Sequence, residues 1–154
     1  MQSRIVSVDQ ILPGLWIGNW AAAKYMDTNV VINMTPDIPF YNYHAKQFRC
    51  SIWDPHFEEA VNINQRRMAL FGYFMVILID YFLKTGKTVL VHCHSGIQRS
   101  ASLVLMYLIY KKIQHPMDFL LKHRGMCFYW GRRVHFRSAI RLFTNMLIID
   151  PNYQ

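Results

Sequence analysis

Cysteine is scarce in this sequence, and long apolar runs are missing. The three cysteines, Cys50, Cys93 and Cys127, have no Cys-x-x-Cys spacing, which argues against a disulfide framework and a zinc site. The longest apolar run, residues 68–79, is shorter than the roughly 18 to 20 residues that cross a bilayer. The N-terminus also lacks the apolar stretch and small-residue cleavage site of a secretory signal. We therefore expect free thiols, no membrane partner and an intracellular location, cytoplasmic or nuclear.

Linkers and internal repeats are absent as well, since no Ser-, Gly- or Pro-rich segment interrupts the chain. With 154 residues, 53% hydrophobic and 17% charged, the chain can fill one core of ordinary size. These proportions exclude a disordered tail, a collagen-like fibre and a low-complexity linker. The composition therefore predicts a single domain over residues 1–154.

Acidic residues are almost missing from the second half of the chain. Lys and Arg number 17 against 9 Asp and Glu, and residues 81–154 contain Asp118 and Asp150 as their only acidic residues. Such a positive field attracts phosphorylated proteins, RNA or anionic lipid headgroups. A solvated basic surface that serves only solubility explains it equally well. Charge alone therefore does not select a function.

Hydrophobic periodicity predicts alternating strands and helices. Apolar or β-branched runs predict two strands within 10–17, joined at Pro13–Gly14. They predict one further strand each at 29–32, 48–53 and 88–91. Helices are predicted for a short segment capped by Asn19 and for 64–83, 100–110, 116–123 and 134–149. The alternation indicates an α/β fold in which helices flank a mixed, mainly parallel sheet of about five strands.

The longest predicted helix, 64–83, has apolar residues on nearly all sides. A helix that is apolar all round is normally surrounded by other elements. We therefore expect this helix to be central and mostly buried.

Residues 92–100, between a predicted strand and a predicted helix, read His-Cys-His-Ser-Gly-Ile-Gln-Arg-Ser. In such a connection successive backbone N–H groups point inward, and the helix N-terminus adds positive potential. Gly96 allows a conformation closed to most residues and a close approach of the backbone to an oxyanion. The predicted phosphate-binding residues are His94, Ser95, Gly96, Ile97, Gln98 and Arg99.

Cys93 stands at the mouth of this loop, which predicts a nucleophile. Helix termini and nearby cations lower a cysteine pKa from near 8.5 to roughly 3.5 to 7.5, so the thiolate can be the resting form. The planar fork of Arg99 suits two phosphate oxygens in the ground and transition states. Ser100 can hydrogen-bond the thiolate when sulfur leaves a phosphocysteine. We expect His92 to order the loop backbone rather than to act as a base.

This segment resembles the signature loop of the cysteine-dependent protein tyrosine phosphatase superfamily: His, Cys, five residues, Arg, then Ser or Thr. The small size and Ser100–Ala101 resemble its dual-specificity phosphatases of the atypical, single-domain type. Residues 11–18 resemble the family's opening strand pair, and the whole resemblance covers roughly 8–148. It implies a protein-tyrosine-phosphatase-like fold and a shallow pocket for phosphotyrosine and phosphoserine or phosphothreonine. It also implies a phosphocysteine intermediate, with no metal ion or other cofactor.

The departure of an alkoxide or phenoxide also requires a proton, and hence a carboxylic acid that faces the loop. Residues 50–54 indicate a strand that ends in Asp54, similar to the place where the family carries its acid. The stretch from Asp54 to Cys93 is longer than in the family, which suggests an enlarged loop around 55–64. Glu58 and Glu59 in that loop are the alternatives to Asp54 as general acid.

A second departure lies at 131–136, Gly-Arg-Arg-Val-His-Phe, where the family often has an Asn before the Phe. Arg132 and Arg133 either line the substrate groove or form a basic surface turn. Gln98 occupies a position where Ser is common in the family, which would alter the hydrogen bonds of the loop.

The leading prediction is a phosphoprotein phosphatase whose partner is a phosphorylated protein substrate. One alternative is an RNA 5′-triphosphatase that uses the same loop, because phosphate is a better leaving group than an alkoxide and the basic half suits a polyanion. The other is a catalytically silent phosphate-binding adaptor, which is disfavoured because both Cys93 and Arg99 are present. A homodimer is compatible with the aromatic residues that could be exposed.

Overall fold

A five-stranded sheet forms the centre of the computed structural model, which describes residues 5–54, 61–128 and 134–153. The strands are β1 (Val8–Leu12), β2 (Leu15–Gly18), β3 (Val30–Asn33), β4 (Lys46–Arg49) and β5 (Val89–His92). Their order across the sheet is β1-β2-β5-β3-β4. The β1–β2 pair is antiparallel and the other neighbours are parallel, so the predicted mixed, mainly parallel sheet is confirmed.

Helices cover both faces of this sheet. They are α1 (Trp20–Tyr25), α2 (Asn62–Lys84), α3 (Arg99–Tyr110), α4 (Pro116–His123) and α5 (Arg137–Ile149). Strand side chains alternate between the two faces. In β5, accordingly, Val89 and Val91 join the large core with α2 to α5, and Leu90 packs on the opposite face against the alanines of α1.

The first turn and the first helix form where their local residues predict them. Gly14 has a φ of +82° in the turn between β1 and β2, a conformation that favours glycine. The Asn19 side chain accepts a hydrogen bond from the Ala22 N–H at 3.0 Å and caps α1, as predicted. The same side chain binds the backbone of Ile5 and Ser7, which fixes the chain entering β1.

Two element predictions require correction. β4 covers Lys46–Arg49 rather than 48–53, and residues 50–54 are irregular. Among the described residues this edge strand pairs with β3 alone, and the four residues of β3 set its register. The last helix begins at Arg137 rather than at 134, because residues 134–136 turn to meet neighbouring elements.

The expectation that α2 is mostly buried was wrong. Met68, Val76 and Ile79 lie in the core, where α2 packs against α3 and α5. The outward face has apolar side chains that are between 47% and 60% exposed, namely Leu70, Phe74, Ile77 and Tyr81. No helix in residues 5–54, 61–128 and 134–153 is long and apolar enough to span a bilayer.

The central strand β5 ends at His92, between the ends of β2 and β3. Ligands of open α/β sheets bind beyond the carboxyl ends of parallel strands. The connection from β5 to α3 therefore lies where such a site is expected, and it is the predicted phosphate-binding loop.

Candidate active site

The loop at residues 93–99 is held from outside through its carbonyl groups. The Trp20 N–H donates to the His94 carbonyl at 3.0 Å, and the Phe128 N–H donates to the Ile97 carbonyl at 3.0 Å. The C=O and N–H of a trans peptide point in opposite directions. Carbonyls that are tied outward therefore turn the following N–H groups toward the middle of the loop, where they can bind an anion.

Arg124 binds the two loop carbonyls that lie between His94 and Ile97. Its Nε donates to the Gly96 carbonyl at 2.9 Å and its Nη2 to the Ser95 carbonyl at 3.4 Å. Its other donors reach Asp9 Oδ2 at 2.7 Å and Ser7 Oγ at 2.9 Å. The side chain is fully buried. Arg124 is not among the residues predicted from the sequence, because nothing near it in the chain indicates that it folds onto a loop so far away in sequence.

Glycine is the only residue type that fits at position 96. Its φ is +72°, and a Cβ atom there would lie 2.6 Å from Arg124 Nη2 and 2.7 Å from the Gly18 carbonyl oxygen. The absence of a side chain lets the loop close, and the Gly96 N–H then donates to Cys93 Sγ at 3.2 Å. The conformation predicted for this glycine is therefore present.

Cys93 is buried at the start of the loop with its sulfur in a polar surrounding. Burial by itself raises the pKa of this thiol, but the Arg99 guanidinium and hydrogen bonds from Ser100 and Gly96 outweigh burial. Together they hold the pKa of Cys93 below its ordinary value. The Ser100 hydroxyl oxygen lies 3.2 Å from the sulfur and can donate to a thiolate.

The other two cysteines lie in a different environment. Cys50 and Cys127 are buried and free, and desolvation raises the pKa of each to about 12. Their thiols therefore stay protonated at neutral pH and pack as small apolar groups. The three cysteines differ in the ionisation that their surroundings favour, and only Cys93 is stabilised as a thiolate.

Arg99 begins α3, and its guanidinium lies beside the loop. Nη1 donates to the Ile52 carbonyl at 2.7 Å. Its buried Nε has no hydrogen-bond partner among the residues that the structure describes. A buried donor without an acceptor is costly. An oxyanion held by the loop would supply that acceptor, which agrees with the phosphate-binding role predicted for Arg99.

His92 is buried directly before Cys93. Its Nδ1 lies 3.2 Å from the Cys93 carbonyl oxygen. Desolvation is the main reason that the pKa of His92 is lowered to about 4, so the ring is neutral at physiological pH. A neutral ring against the loop backbone has the geometry that an ordering role requires.

Asp54 follows the segment that Arg99 contacts through Ile52. Its Oδ1 lies 2.9 Å from His135 Nδ1, and its side chain is 21% exposed. Glu58 and Glu59, the alternative acids, lie outside the described residues, as do Arg132 and Arg133.

Gln98 connects the loop to the same histidine. Its Oε1 accepts a hydrogen bond from the His135 N–H at 3.0 Å, and its carbonyl accepts from the Ser102 N–H in α3. No role was predicted for His135 from the sequence, and this contact was missed. The side chains of His94 and Ser95 are exposed at the rim of the loop. Within the described part of the chain, His, Cys, Asp and Glu side chains form no group of three that could hold a metal ion.

The sequence matches the model of a known protein family over most of its length. The family model described as dual specificity phosphatase, catalytic domain, matches residues 15–142. A curated relative, dual specificity protein phosphatase MPK-4 of Drosophila melanogaster, is 27% identical over 155 residues, which is 97% of this chain and 39% of that protein. The chain therefore spans about two fifths of that relative's length.

Solved structures show the same fold at low sequence identity. Human DUSP28 aligns with a TM-score of 0.72 and 16% identity over 92% of this chain and 95% of that one. OH1 from the Orf virus, described as a tyrosine phosphatase, aligns with a TM-score of 0.67 and 16% identity over 90% of this chain and 87% of that one. At these identities the likeness concerns the fold.

Proposed function

The chain belongs to the dual specificity phosphatase family, and from this we propose that it hydrolyses phosphotyrosine and phosphoserine or phosphothreonine in proteins through a phosphocysteine. The observation that carries the proposal is the environment of Cys93. Its pKa is lowered by the Arg99 cation and by hydrogen bonds from Ser100 and Gly96, although the thiol is buried. A thiolate within an anion-binding loop has the chemistry of a nucleophile toward phosphorus.

In the first step the phosphoryl oxygens bind the loop N–H groups and the Arg99 fork. The Cys93 thiolate attacks phosphorus, so an S–P bond forms while the P–O bond to the leaving group breaks. Asp54 donates its proton to the leaving oxygen. Catalysis comes from positioning and charge neutralisation by the loop and Arg99, which is how phosphoryl transfer is generally accelerated.

In the second step water hydrolyses the phosphocysteine. The Asp54 carboxylate accepts a proton from water as the new P–O bond forms and the S–P bond breaks. The departing sulfur becomes a thiolate again, and the Ser100 hydroxyl at 3.2 Å can stabilise it. Inorganic phosphate then leaves, and the enzyme returns to its initial state with Asp54 protonated.

The test is phosphate release from a phosphotyrosine peptide, a phosphothreonine peptide and a 5′-triphosphate RNA, measured in parallel. Cys93→Ser is the blank. Cys50→Ser is the matched control, because Cys50 is a buried thiol with a raised pKa. We expect Cys93-dependent release from both peptides, faster than from RNA, and little change in Cys50→Ser.

Two results would overturn the proposal. Preference for the RNA would reassign the reaction to 5′-end triphosphate hydrolysis. No release from any substrate, with phosphopeptide binding retained, would make the protein a phosphate-binding adaptor.

A further inference from the structure

His135 is fixed at three points around the loop. Its N–H donates to Gln98 Oε1 at 3.0 Å, and its carbonyl accepts from Gln65 Nε2 at 2.7 Å. Its ring Nδ1 lies 2.9 Å from Asp54 Oδ1. The residue is 1% exposed. The backbone bonds set the position of the ring relative to the loop, and the ring in turn contacts the carboxyl group.

Gln65 makes this arrangement rigid. It lies in α2 and is buried, and its Oε1 accepts a hydrogen bond from the Ala139 N–H at 2.8 Å. That N–H belongs to the first turn of α5, where no residue at the cap position supplies a side-chain bond. One glutamine therefore holds both the start of α5 and the His135 carbonyl, so the backbone before α5 has little freedom.

We propose that His135 is a positioning residue that holds the Asp54 carboxyl group in place for proton transfer. The inference rests on the proposed function, in which Asp54 is the general acid. A carboxyl group on an irregular segment can adopt several rotamers, and only some of them place its proton at the leaving oxygen. The hydrogen bond between His135 Nδ1 and Oδ1 selects one of these rotamers. Because the His135 backbone is bonded to Gln98, this rotamer is held at a fixed position relative to the loop.

The proton balance of this arrangement is simple. A carboxylate oxygen can only accept, so the hydrogen of the bond lies on His135 Nδ1 when Asp54 is ionised. In this proposal the imidazole acts only as a hydrogen-bond donor to Oδ1 and takes no part in the proton transfer. The proton that reaches the leaving oxygen is the one carried by Asp54, and water returns it in the second step.

The experiment compares kcat/KM for two substrates, because kcat/KM reports the step in which the phosphoryl group passes to Cys93. Phenyl phosphate needs a proton on its leaving oxygen, and 2,4-dinitrophenyl phosphate does not. The measured quantity is the ratio of the dinitrophenyl to the phenyl value. A defect in acid catalysis raises this ratio, whereas a general loss of structure lowers both values together.

Four variants carry the comparison. His135→Leu removes the ring donor and keeps the backbone bonds. His135→Asn keeps an N–H near the position of Nδ1, and His135→Gln moves the N–H away from it. His44→Leu is the matched control, because His44 is exposed and far from the loop in the fold. Thermal melting and inhibition by vanadate report on folding and on the loop.

We expect the ratio to rise about tenfold in His135→Leu and His135→Gln, and about twofold or less in His135→Asn and His44→Leu. In an Asp54→Asn background, His135→Leu should produce no further rise, because the group that it positions is gone.

The possible failures are distinguishable. An unchanged ratio in His135→Leu, with a raised ratio in Asp54→Asn, overturns the inference and leaves Asp54 as the acid. An equal fall for both substrates in His135→Leu and His135→Asn assigns His135 a structural role only and also overturns it. An unchanged ratio in Asp54→Asn overturns both this inference and the acid assignment. Activity that survives Cys93→Ser overturns the proposed function itself.

Discussion

The Arg99 guanidinium donates to the Ile52 carbonyl at 2.7 Å, two residues before Asp54. This bond joins the end of the proposed phosphate-binding loop to the segment that carries the proposed acid. The bond therefore connects two parts of the chain that are far apart in sequence, one with the proposed nucleophile and phosphate-binding cation and the other with the proposed acid. The geometry of each group depends on the others.

Arg99→Lys should reduce kcat about 100- to 1000-fold, the usual cost of losing a preorganised donor at a transition-state oxyanion. Lysine keeps the charge but lacks the planar fork. Steady-state kinetics on a phosphotyrosine peptide measure the effect, with the exposed α5 residue in Arg141→Lys as the control. A loss below about tenfold would show that charge alone suffices.

Asp54→Asn should slow hydrolysis of phenyl phosphate at least about 100-fold, because general acid catalysis contributes on this scale. Glu58→Gln and Glu59→Gln are the comparison variants and should remain close to the unmodified protein. A large loss in either of them, with Asp54→Asn unaffected, would transfer the acid role to that glutamate.

Ser100→Ala should cause the phosphocysteine to accumulate. The hydroxyl lies 3.2 Å from Cys93 Sγ, and a hydrogen bond to a charged group is worth about 1.5 to 3 kcal/mol, so breakdown should slow by about 10- to 100-fold. Acid quenching of a reaction with labelled substrate detects the covalent phosphate. Slower formation of the intermediate, without accumulation, would contradict this assignment.

Cys93 should react with iodoacetate at a lower pH than an ordinary thiol, because its pKa is held below the usual value. Arg99→Ala removes the cation that favours the thiolate, so the alkylation profile should move to higher pH. Cys50 and Cys127, with a pKa of about 12 each, should stay unmodified. Mass spectrometry of the alkylated peptides distinguishes the three sites. A profile unaffected by Arg99→Ala would remove this cation as the cause.

Arg124→Met should destabilise the protein by about 2 kcal/mol or more, because the carbonyls of Ser95 and Gly96 lose buried donors. Asp9→Asn should cost less than about 1 kcal/mol, since the Asp9 side chain is 42% exposed and its ion pair with Arg124 is partly solvated. Urea denaturation measures both. Equal losses would show that the ion pair with Asp9, rather than the loop carbonyls, gives Arg124 its effect on stability.

Local sequence determined most of the elements and the loop. Pro13–Gly14, the Asn19 cap and Pro116 at the start of α4 act on residues within one turn of themselves, and the structure has the β1–β2 turn, α1 and α4 at those places. The segment 92–100 likewise marks, through its own residues, the end of a strand, a loop that turns at a glycine and the start of a helix, and the structure has β5, the loop and α3 at those places. Such features depend on short-range sterics and hydrogen bonds, and the residues that determine them lie within a short window of sequence.

Tertiary structure alone decided which distant residues complete the site. Arg124 and His135 carry no local signal, yet one holds the loop carbonyls and the other links Gln98 to Asp54. The exposure of one apolar face of α2 also depends on tertiary structure, because an apolar pattern does not determine how many elements pack against a helix. These outcomes depend on how the layers pack and on which side chains that packing brings within hydrogen-bond distance, and neither is set by the residues of one segment.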